Sequence, residues 1–536
     1  MRAGGGAARR RRGTAAGLFG AAVLVAGTVL TSGGAYAQPS PSPGGHSAGH
    51  GGDDSHDGSR DGDRGERDGG KGDHGKGTGR SRPGESPSAT PTHRSGPSAA
   101  AGRTPAARPA PAAGAVLAAA EVGPEAAVPT AQGLQQALAA ALADRGLGEV
   151  TFAVADASAD RFLYGSGENT PATPASTTKL ATSIAALSLI PGDTRLSTRV
   201  VRGADPGTIT LVGGGDPTLT ALPADQVRIG GQPADADTAP ASLDALARQT
   251  AAALAAAGTT TVRLDYDLSM YTGSPQHRNH DAQNIALVVP LMVDEAKVDP
   301  RSREEAPARV ADPAGAAAEA FAALLRTQGI TVEGRAKAAA APAAADAPVL
   351  GRVDSPTVDR LVERLLTTSD NQLAEAIARQ AALAAHQPAG FEGAAAAVTQ
   401  ELARLGVPMA DVVLNDGSGL NPGNAIPPAV LVRLLSLAAS DRYPALRPVL
   451  TGLPVAGFTG TLGKRYGSGS GAADAAGLIR AKTGTLSGVN TLAGTVVDAD
   501  GRLLAFAVMT RTTAPADTAR AAMDRIAARL TACGCR

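Results

Sequence analysis

Apolar patterning in this 536-residue chain starts only near Ala131, and that late start limits what the chain can fold into. Residues 38 to 130 show neither a period of 2 nor one of 3.6. Gly44 to Arg80 is largely Gly, Asp, Arg and His, and Pro, Ala, Ser and Thr dominate from there to Thr130. Such a stretch buries too little surface to offset the entropy of ordering it, so it reads as a disordered linker. Five of the eight histidines lie in it: His46, His50, His56, His74 and His93. Their irregular spacing favours a solvated tether over a metal site.

Ahead of the linker, Arg9 to Arg12 precede an apolar run from Ala15 to about Leu30, and Ala35-Tyr36-Ala37 fits a small-residue cleavage site. Residues 1–37 are therefore expected to be a signal peptide, which makes the mature protein extracytoplasmic. The alternative is an uncleaved N-terminal membrane anchor, for which the run is short and spotted with glycine.

Acidic and basic residues balance at 50 each, so no global basic field points to nucleic acid. Aromatics are 2% and Trp is absent, so any core must use Ala, Val, Leu and Ile. Cys533 and Cys535 make too small a set for a zinc site and read as a local disulfide or a frayed tail.

From Ala131 the elements become readable. Leu134 to Ala143 has helical spacing, and Val150–Val154 and Phe162–Tyr164 read as a hairpin. A helix is expected from Ser176 to about Leu189, stopped by Pro191-Gly192. Near the C-terminus, Leu478–Thr485, Asn490–Val497 and Leu503–Thr510 read as an antiparallel meander, and Thr518–Thr531 as a closing helix. Strands from both ends sharing one sheet, with helices between, make an α+β fold. Residues 197–349 look like a separate inserted unit with strands at 208–212 and 261–264 and helices at 242–256 and 314–328. The expected organisation is a main domain in two parts, 131–196 and 350–536, around that insert. Gly213-Gly214-Gly215-Asp216 is not a phosphate loop, because no Gly-Lys-Ser/Thr follows.

Three short motifs occur once each, in order: Ser176-Thr177-Thr178-Lys179, Ser369-Asp370-Asn371 and Lys482-Thr483-Gly484. They form the S-x-x-K, S-D-N and K-T-G trio of active-serine, penicillin-recognising proteins. Ser176 stands at an expected helix start, so Lys179 shares its helix face. Pro174 just before fixes the chain's entry. Gly484 lies on an expected strand, where a missing side chain lets a substrate backbone approach. Taken alone, Ser176 and Asn371 would read as helix caps; the trio together outweighs that reading. Lysine usage adds to it. Only seven of the 50 basic residues are lysine, and two of the five beyond residue 130 are Lys179 and Lys482. Arginine stays protonated, whereas a buried lysine can become a neutral base.

The chain resembles the D-Ala-D-Ala carboxypeptidase/endopeptidase family often called penicillin-binding protein 4, over roughly its last three quarters. The stretches Leu211–Leu219, Asp416-Gly417-Ser418-Gly419-Leu420 and Gly460-Thr461-Leu462 are also similar to that family. The resemblance implies a β-lactamase/transpeptidase-like domain with an inserted smaller domain. It implies Ser176 as nucleophile, Lys179 as base, Ser369 as proton relay and Lys482 as a source of positive potential. It places Asn371, Thr483, Gly484 and Thr485 at the substrate, with an oxyanion hole from the Ser176 and Thr485 N–H groups. Expected partners are cell-wall peptides as substrate and β-lactams as covalent inhibitors, with no nucleic acid and no cofactor. One departure stands out: Asn421-Pro422 occupies the place where the family continues Ser-Arg, so side-chain specificity is left open. The rival readings are a β-lactamase, or a non-catalytic wall-binding module on the same fold. Against the first, Glu375, Glu392 and Glu401 lack an E-x-x-L-N setting; against the second, pure binding does not need Ser176, Lys179 and Lys482 together.

Overall fold

The computed structural model describes residues 126–536, apart from 230, 282, 303 and 305. The expected signal peptide and most of the expected linker lie outside the described residues. Thr130, assigned to the linker above, belongs to the fold. Its Oγ1 accepts from Gly133 N–H at 3.0 Å and so caps α1 (Ala131–Leu142). Its own N–H donates to the Cys535 carbonyl at 2.7 Å. A threonine just ahead of helical spacing is an N-cap signal, and it moves the boundary upstream. Cys533 and Cys535 are joined as a disulfide.

After α1 come β1 (Glu149–Asp156), β2 (Arg161–Ser166) and α2 (Thr178–Leu189). The central segment follows: β3 (Arg195–Arg202), β4 (Thr208–Val212), β5 (Arg228–Ile229), β6 (Gln232–Pro233), α3 (Leu243–Ala256), β7 (Thr261–Asp267), α4 (Pro313–Thr327), β8 (Thr331–Ala338) and β9 (Val349–Thr357). Then come α5 (Val358–Thr368), α6 (Asn371–Ala384), α7 (Phe391–Arg404), α8 (Pro428–Ala439) and α9 (Pro448–Thr451). The chain finishes with β10 (Ile479–Leu486), β11 (Val489–Val497), β12 (Leu503–Arg511) and α10 (Ala516–Thr531).

The first sheet has the order β10-β11-β12-β1-β2 and is antiparallel throughout. Strands from the two ends of the described chain meet where β1 pairs with β12, Phe152 opposite Val508. This is an α+β arrangement. The period of 2 sorts its side chains by size. Phe152, Val154, Leu504, Phe506 and Val508 face α1 and α10, packing on Leu134, Leu138, Met523 and Ile526. The intervening Ala153, Ala155, Ala505 and Ala507 face the helical layer, packing among Leu180, Ile184, Leu361 and Leu431. Small residues on that face let α8 lie close to the sheet. This is how an aromatic-poor chain fills its core. Helix α2 is buried from Thr178 to Leu187, in contact with α5, α6, α7 and α8.

The second sheet has the order β8-β7-β4-β3-β9, with β4–β7 and β7–β8 parallel and the other pairs antiparallel. Helices α3 and α4 cover it, with Leu246, Leu254, Phe321 and Leu325 on Ile209 and Leu264. It spans Arg195–Thr357, past both ends of the 197–349 segment expected above. Its last strand, β9, emerges after the low-complexity stretch 336–347 and runs straight into α5.

Candidate active site

Three stretches distant in sequence meet at one end of α2. Ser176 sits in a 3-10 turn, Ala175–Thr177, just ahead of the helix. Ala175 has φ of 47°, a left-handed conformation costly for a residue with a side chain. The surrounding hydroxyls hold it there. Thr177 Oγ1 donates to the Pro174 carbonyl at 2.7 Å, Thr178 Oγ1 to the Ala175 carbonyl at 2.9 Å, and Thr491 Oγ1 to Pro174 at 2.8 Å. The two threonines inside the S-x-x-K motif are thus fasteners of the turn, a role its letters do not advertise.

Lys179 is fully buried. Its Nζ donates to Ser176 Oγ at 2.8 Å, Asn371 Oδ1 at 2.7 Å and the Ser418 carbonyl at 2.7 Å. Burial pulls the ammonium down to about 8, partly offset by Asp416, Asp370 and Glu375. Lys482, equally buried, donates to Ser369 Oγ and to the Thr483 carbonyl, each at 2.8 Å. Ser369 closes α5 in a left-handed conformation, φ 60°, and Asp370 caps α6 by accepting from Leu373 N–H at 2.8 Å. That sharp turn presents Ser369 to one lysine and Asn371 to the other.

Strand β10 carries Lys482, Thr483, Gly484 and Thr485. A Cβ on Gly484 would collide with Thr491 Oγ1 and come within 2.8 Å of the Pro174 carbonyl and 3.0 Å of Ser176 N. The glycine admits the chain's own Ser176 turn. The same contact sets the Ser176 N–H beside β10. Thr483 Oγ1 shares a hydrogen bond of 2.7 Å with Thr461 Oγ1. Exposed Thr485 accepts from Arg520 Nη2 of α10 at 3.2 Å.

The stretch Asp416–Leu420 supports Lys179 from below. Glu375 of α6 accepts from Gly417 N–H at 3.1 Å and Ser418 N–H at 2.8 Å. Asp416 accepts from Gly419 N–H at 2.9 Å, Asn421 N–H at 2.7 Å and Asn424 Nδ2 at 2.6 Å. Gly419, at φ 86°, lies so close to the Ala175 carbonyl that no side chain fits. His277 completes the clamp. Its Nδ1 accepts from Asn279 N–H at 3.0 Å, so the neutral ring carries its proton on Nε2, which donates to Asp416 Oδ2 at 2.8 Å. His277, Glu375 and Asp416 bring one ligand atom each within 4.8 Å of one another. Both carboxylates are already engaged by loop N–H groups, so the chemistry of the set is that of a clamp rather than a cation site. Burial, and then the charge of Asp416, push Glu375 up. Engaged in this way, Glu375 is held under the loop.

His277 comes from the central segment, and so do two further supports. The Asn284 carbonyl accepts from Asn371 Nδ2 at 3.2 Å, and Gln372 bridges Ala286 N–H at 3.0 Å and the Leu287 carbonyl at 3.3 Å. Glu295, in left-handed backbone, pairs with Arg364 of α5 and, at 2.6 Å, with Lys297. Burial pushes its carboxyl up, but Arg364 and Lys297 win and hold it well below the usual range. Sequence reasoning missed Ser418, His277, Thr461 and Arg520. The first and third lie in stretches quoted for their family likeness, while nothing local marks His277 or Arg520.

The family model for "D-Ala-D-Ala carboxypeptidase 3 (S13) family" matches residues 134–307 and 300–530. Carboxypeptidase DacB of Mycolicibacterium smegmatis is 37% identical over 420 residues, covering 76% of this chain and 86% of the relative. Carboxypeptidase Rv3627c of Mycobacterium tuberculosis is 34% identical over 424 residues, covering 77% and 87%. The crystal structure of penicillin binding protein 4 from Haemophilus influenzae superposes with a TM-score of 0.58 at 18% identity, covering 73% of this chain and 97% of that one, which shows a shared fold. With the motif trio assembled around two buried lysines and the family model spanning nearly all described residues, the chain belongs to the D-Ala-D-Ala carboxypeptidase 3 (S13) family.

Proposed function

We propose that this protein is a serine-type D-Ala-D-Ala carboxypeptidase working through an acyl-enzyme on Ser176. The observation that carries the reading is the Ser176–Lys179 pair: a hydroxyl 2.8 Å from a fully buried amine drawn down to about 8. A neutral lysine there takes the serine proton as Oγ attacks the carbonyl of the penultimate D-Ala. Ser369, hydrogen-bonded to Lys482, hands a proton to the departing amine. The Ser176 and Thr485 N–H groups receive the oxyanion. Thr483 and Thr485 hold the substrate carboxylate beside Lys482, and Asn371 lines the peptide side. Gly484 lets the strand close on the nucleophile turn. Water then frees the acyl group, and no step calls on a metal or organic cofactor. A β-lactam acylates Ser176 in the same way.

The central segment, about 197–349, serves as an inserted domain that braces the site through His277, Asn284 and Glu295. Residues 1–37 act as a signal peptide and the stretch after them as a tether, giving a secreted, cell-wall-associated enzyme. Among the described residues, no helix is long and apolar enough to cross a membrane. The test is incubation with a fluorescent penicillin followed by intact-mass analysis. The expected result is one adduct, lost in Ser176→Ala; an unlabelled protein that releases no D-Ala overturns the reading.

A further inference from the structure

Among the described residues, Arg379 of α6 is the largest side chain that is fully buried. A cation taken out of water is costly unless it is paired and hydrogen-bonded. Arg379 departs from that rule: none of its three guanidinium nitrogens has a hydrogen-bond partner among the described residues. Its neighbours are two rings and one carboxylate. The guanidinium carbon lies 4.1 Å from the ring centre of Phe391, at the start of α7, and 5.4 Å from that of Tyr271, in the central segment. Its Nη1 stands 3.8 Å from Glu375 Oε2, one helical turn away and beyond hydrogen-bond range. The rings are themselves fixed. Gln380 Nε2 donates to the Tyr271 hydroxyl at 3.3 Å, and Phe391 meets His277 edge to face, ring centres 5.2 Å apart.

What Glu375 does with its oxygens explains the spacing. Oε1 accepts from Gly417 N–H at 3.1 Å and Ser418 N–H at 2.8 Å, and Oε2 lies 3.2 Å from Gly417 N. Both oxygens serve the loop that seats Lys179. An ionised carboxylate can do this; a protonated one turns an oxygen into a donor, facing an N–H that cannot accept. The position disfavours the ionised form. Desolvation first, and then Asp416, raise the Glu375 carboxyl, and Arg379 leads the groups that oppose them, ahead of the Ser418 hydrogen bond and His277. A guanidinium hydrogen-bonded to Glu375 would supply the charge but occupy an oxygen. Seated over Phe391 and Tyr271, it supplies the charge from one step back.

We infer that Arg379 is a positioning residue for acylation: it keeps Glu375 a carboxylate while leaving both carboxylate oxygens to the Gly417 and Ser418 N–H groups, and so holds the Ser418 carbonyl where Lys179 Nζ donates to it. The inference rests on the acyl-enzyme reading above and concerns the support of that same site. Arg379 acts through Glu375 and the loop, not on the reacting atoms. The titratable groups around the pair are Asp416 and His277 on the Glu375 side, and Tyr271 and Glu392 on the Arg379 side. Lys179 in turn feels the Glu375 charge.

The experiment measures the rate of penicillin labelling, with Tm, for the wild type, Arg379→Met, Arg379→Lys, Glu375→Gln and the double variant Glu375→Gln/Arg379→Met. Glutamine keeps an oxygen for the loop N–H groups and needs no counter-charge. Arg379→Met should label about tenfold or more slowly, because small misplacements of reacting groups are costly. Arg379→Lys keeps a cation over the rings and should stay within about threefold of wild type. Glu375→Gln alone strands the buried guanidinium and should lower both rate and Tm. The double variant removes both charges and should label at least about fivefold faster than Arg379→Met, the non-additivity of groups that act as a pair. A double variant as slow as Arg379→Met overturns the inference, because a packing role for Arg379 is not repaired by changing Glu375. Arg379→Met labelling at the wild-type rate overturns it too, as does Arg379→Lys as slow as Arg379→Met. If Arg379→Met does not fold, the double variant decides: soluble and labelled, it supports the inference, and insoluble, it overturns it. A wild type that neither labels nor releases D-alanine instead sinks the acyl-enzyme reading itself.

Discussion

Lys179 Nζ donates to the carbonyl of Ser418 at 2.7 Å, so the base proposed for Ser176 is seated on a loop whose own N–H groups are held by Glu375 and Asp416. A lysine given a serine hydroxyl, an amide oxygen and a carbonyl to donate to is aimed in every direction it can donate.

Lys179→Arg should abolish acylation while leaving the fold intact. Arginine keeps the charge and nearly the length but stays protonated, so only a base role is lost. Losing a general base costs about 10²–10⁴-fold in rate, and the upper end is expected because an unaided serine is a weak nucleophile. Rates of penicillin labelling, with circular dichroism as the fold control, decide it. Labelling within a few-fold of wild type would leave Lys179 as a field-setting charge.

The acylation rate should rise with pH through about 8, as Lys179 sheds its proton. The linked stability has the same sign. With a folded value near 8 and an ordinary value of 10.5, the unfolded chain holds the extra proton between them. This group's penalty is therefore full below pH 8 and is relieved as pH climbs toward 10.5. Asp416 holds the lysine up, so Asp416→Asn should move the rising limb of the profile to lower pH. Stopped-flow acylation across pH checks both; an unmoved limb in Asp416→Asn would detach that carboxylate from the lysine.

His277→Gln should slow acylation more than it lowers Tm, because it releases the Asp416 end of the loop without opening either hydrophobic core. The expected loss is about tenfold or more, because even a small misplacement of reacting groups is costly in rate. His277→Asn and His277→Ala should follow the same order. A Tm drop with unchanged kinetics would make His277 a packing residue.

Asp216→Ala should act in the opposite way. Asp216 is buried and accepts from both Thr218 N–H, at 2.8 Å, and Thr218 Oγ1, at 2.6 Å, inside the glycine turn after β4. Leaving Thr218 without its acceptor costs about 1–3 kcal/mol. Thermal unfolding should register it, and the soluble fraction should acylate normally. A well-folded variant that fails to acylate would contradict this.

A chain beginning at Ala126 should acylate at the full-length rate. Starting at Ala131 instead would remove the Thr130 cap and its tie to Cys535, typically about 1 kcal/mol for the cap alone. Labelling rates and Tm of the two shortened chains distinguish a tether from a structural part.

The first sheet could be read from sequence because β1, β11 and β12 are rich in apolar and β-branched residues and are bounded by turn residues. The motif trio could be read because Ser176, Lys179 and Lys482 follow a fixed local spacing. His277 could not. It is one histidine in an irregular stretch, and its meaning depends on Asp416, 139 residues away. β9 was hidden as well: Arg352 and Asp354 alternate with Val353 and Ser355 as on a half-exposed strand, but the preceding alanine-rich stretch masks its start. At Gly484 the fold adds what the sequence could not: a glycine signals that something comes close, and here the Ser176 turn does.

The seam between β1 and β12 also sets a timetable. About 350 residues separate the strands it joins, so long-range closure of this kind is slow and comes late. Ser176 and Lys179 are made early and Lys482 near the end, and β10, which carries Lys482 to Ser369, joins β1 only through β11 and β12. A chain cut before Lys482 would carry the proposed nucleophile without its second lysine, and one cut within β11 or β12 would lack the strands that tie β10 into the sheet. On the proposed mechanism, acylation is expected only once the final strands are in place.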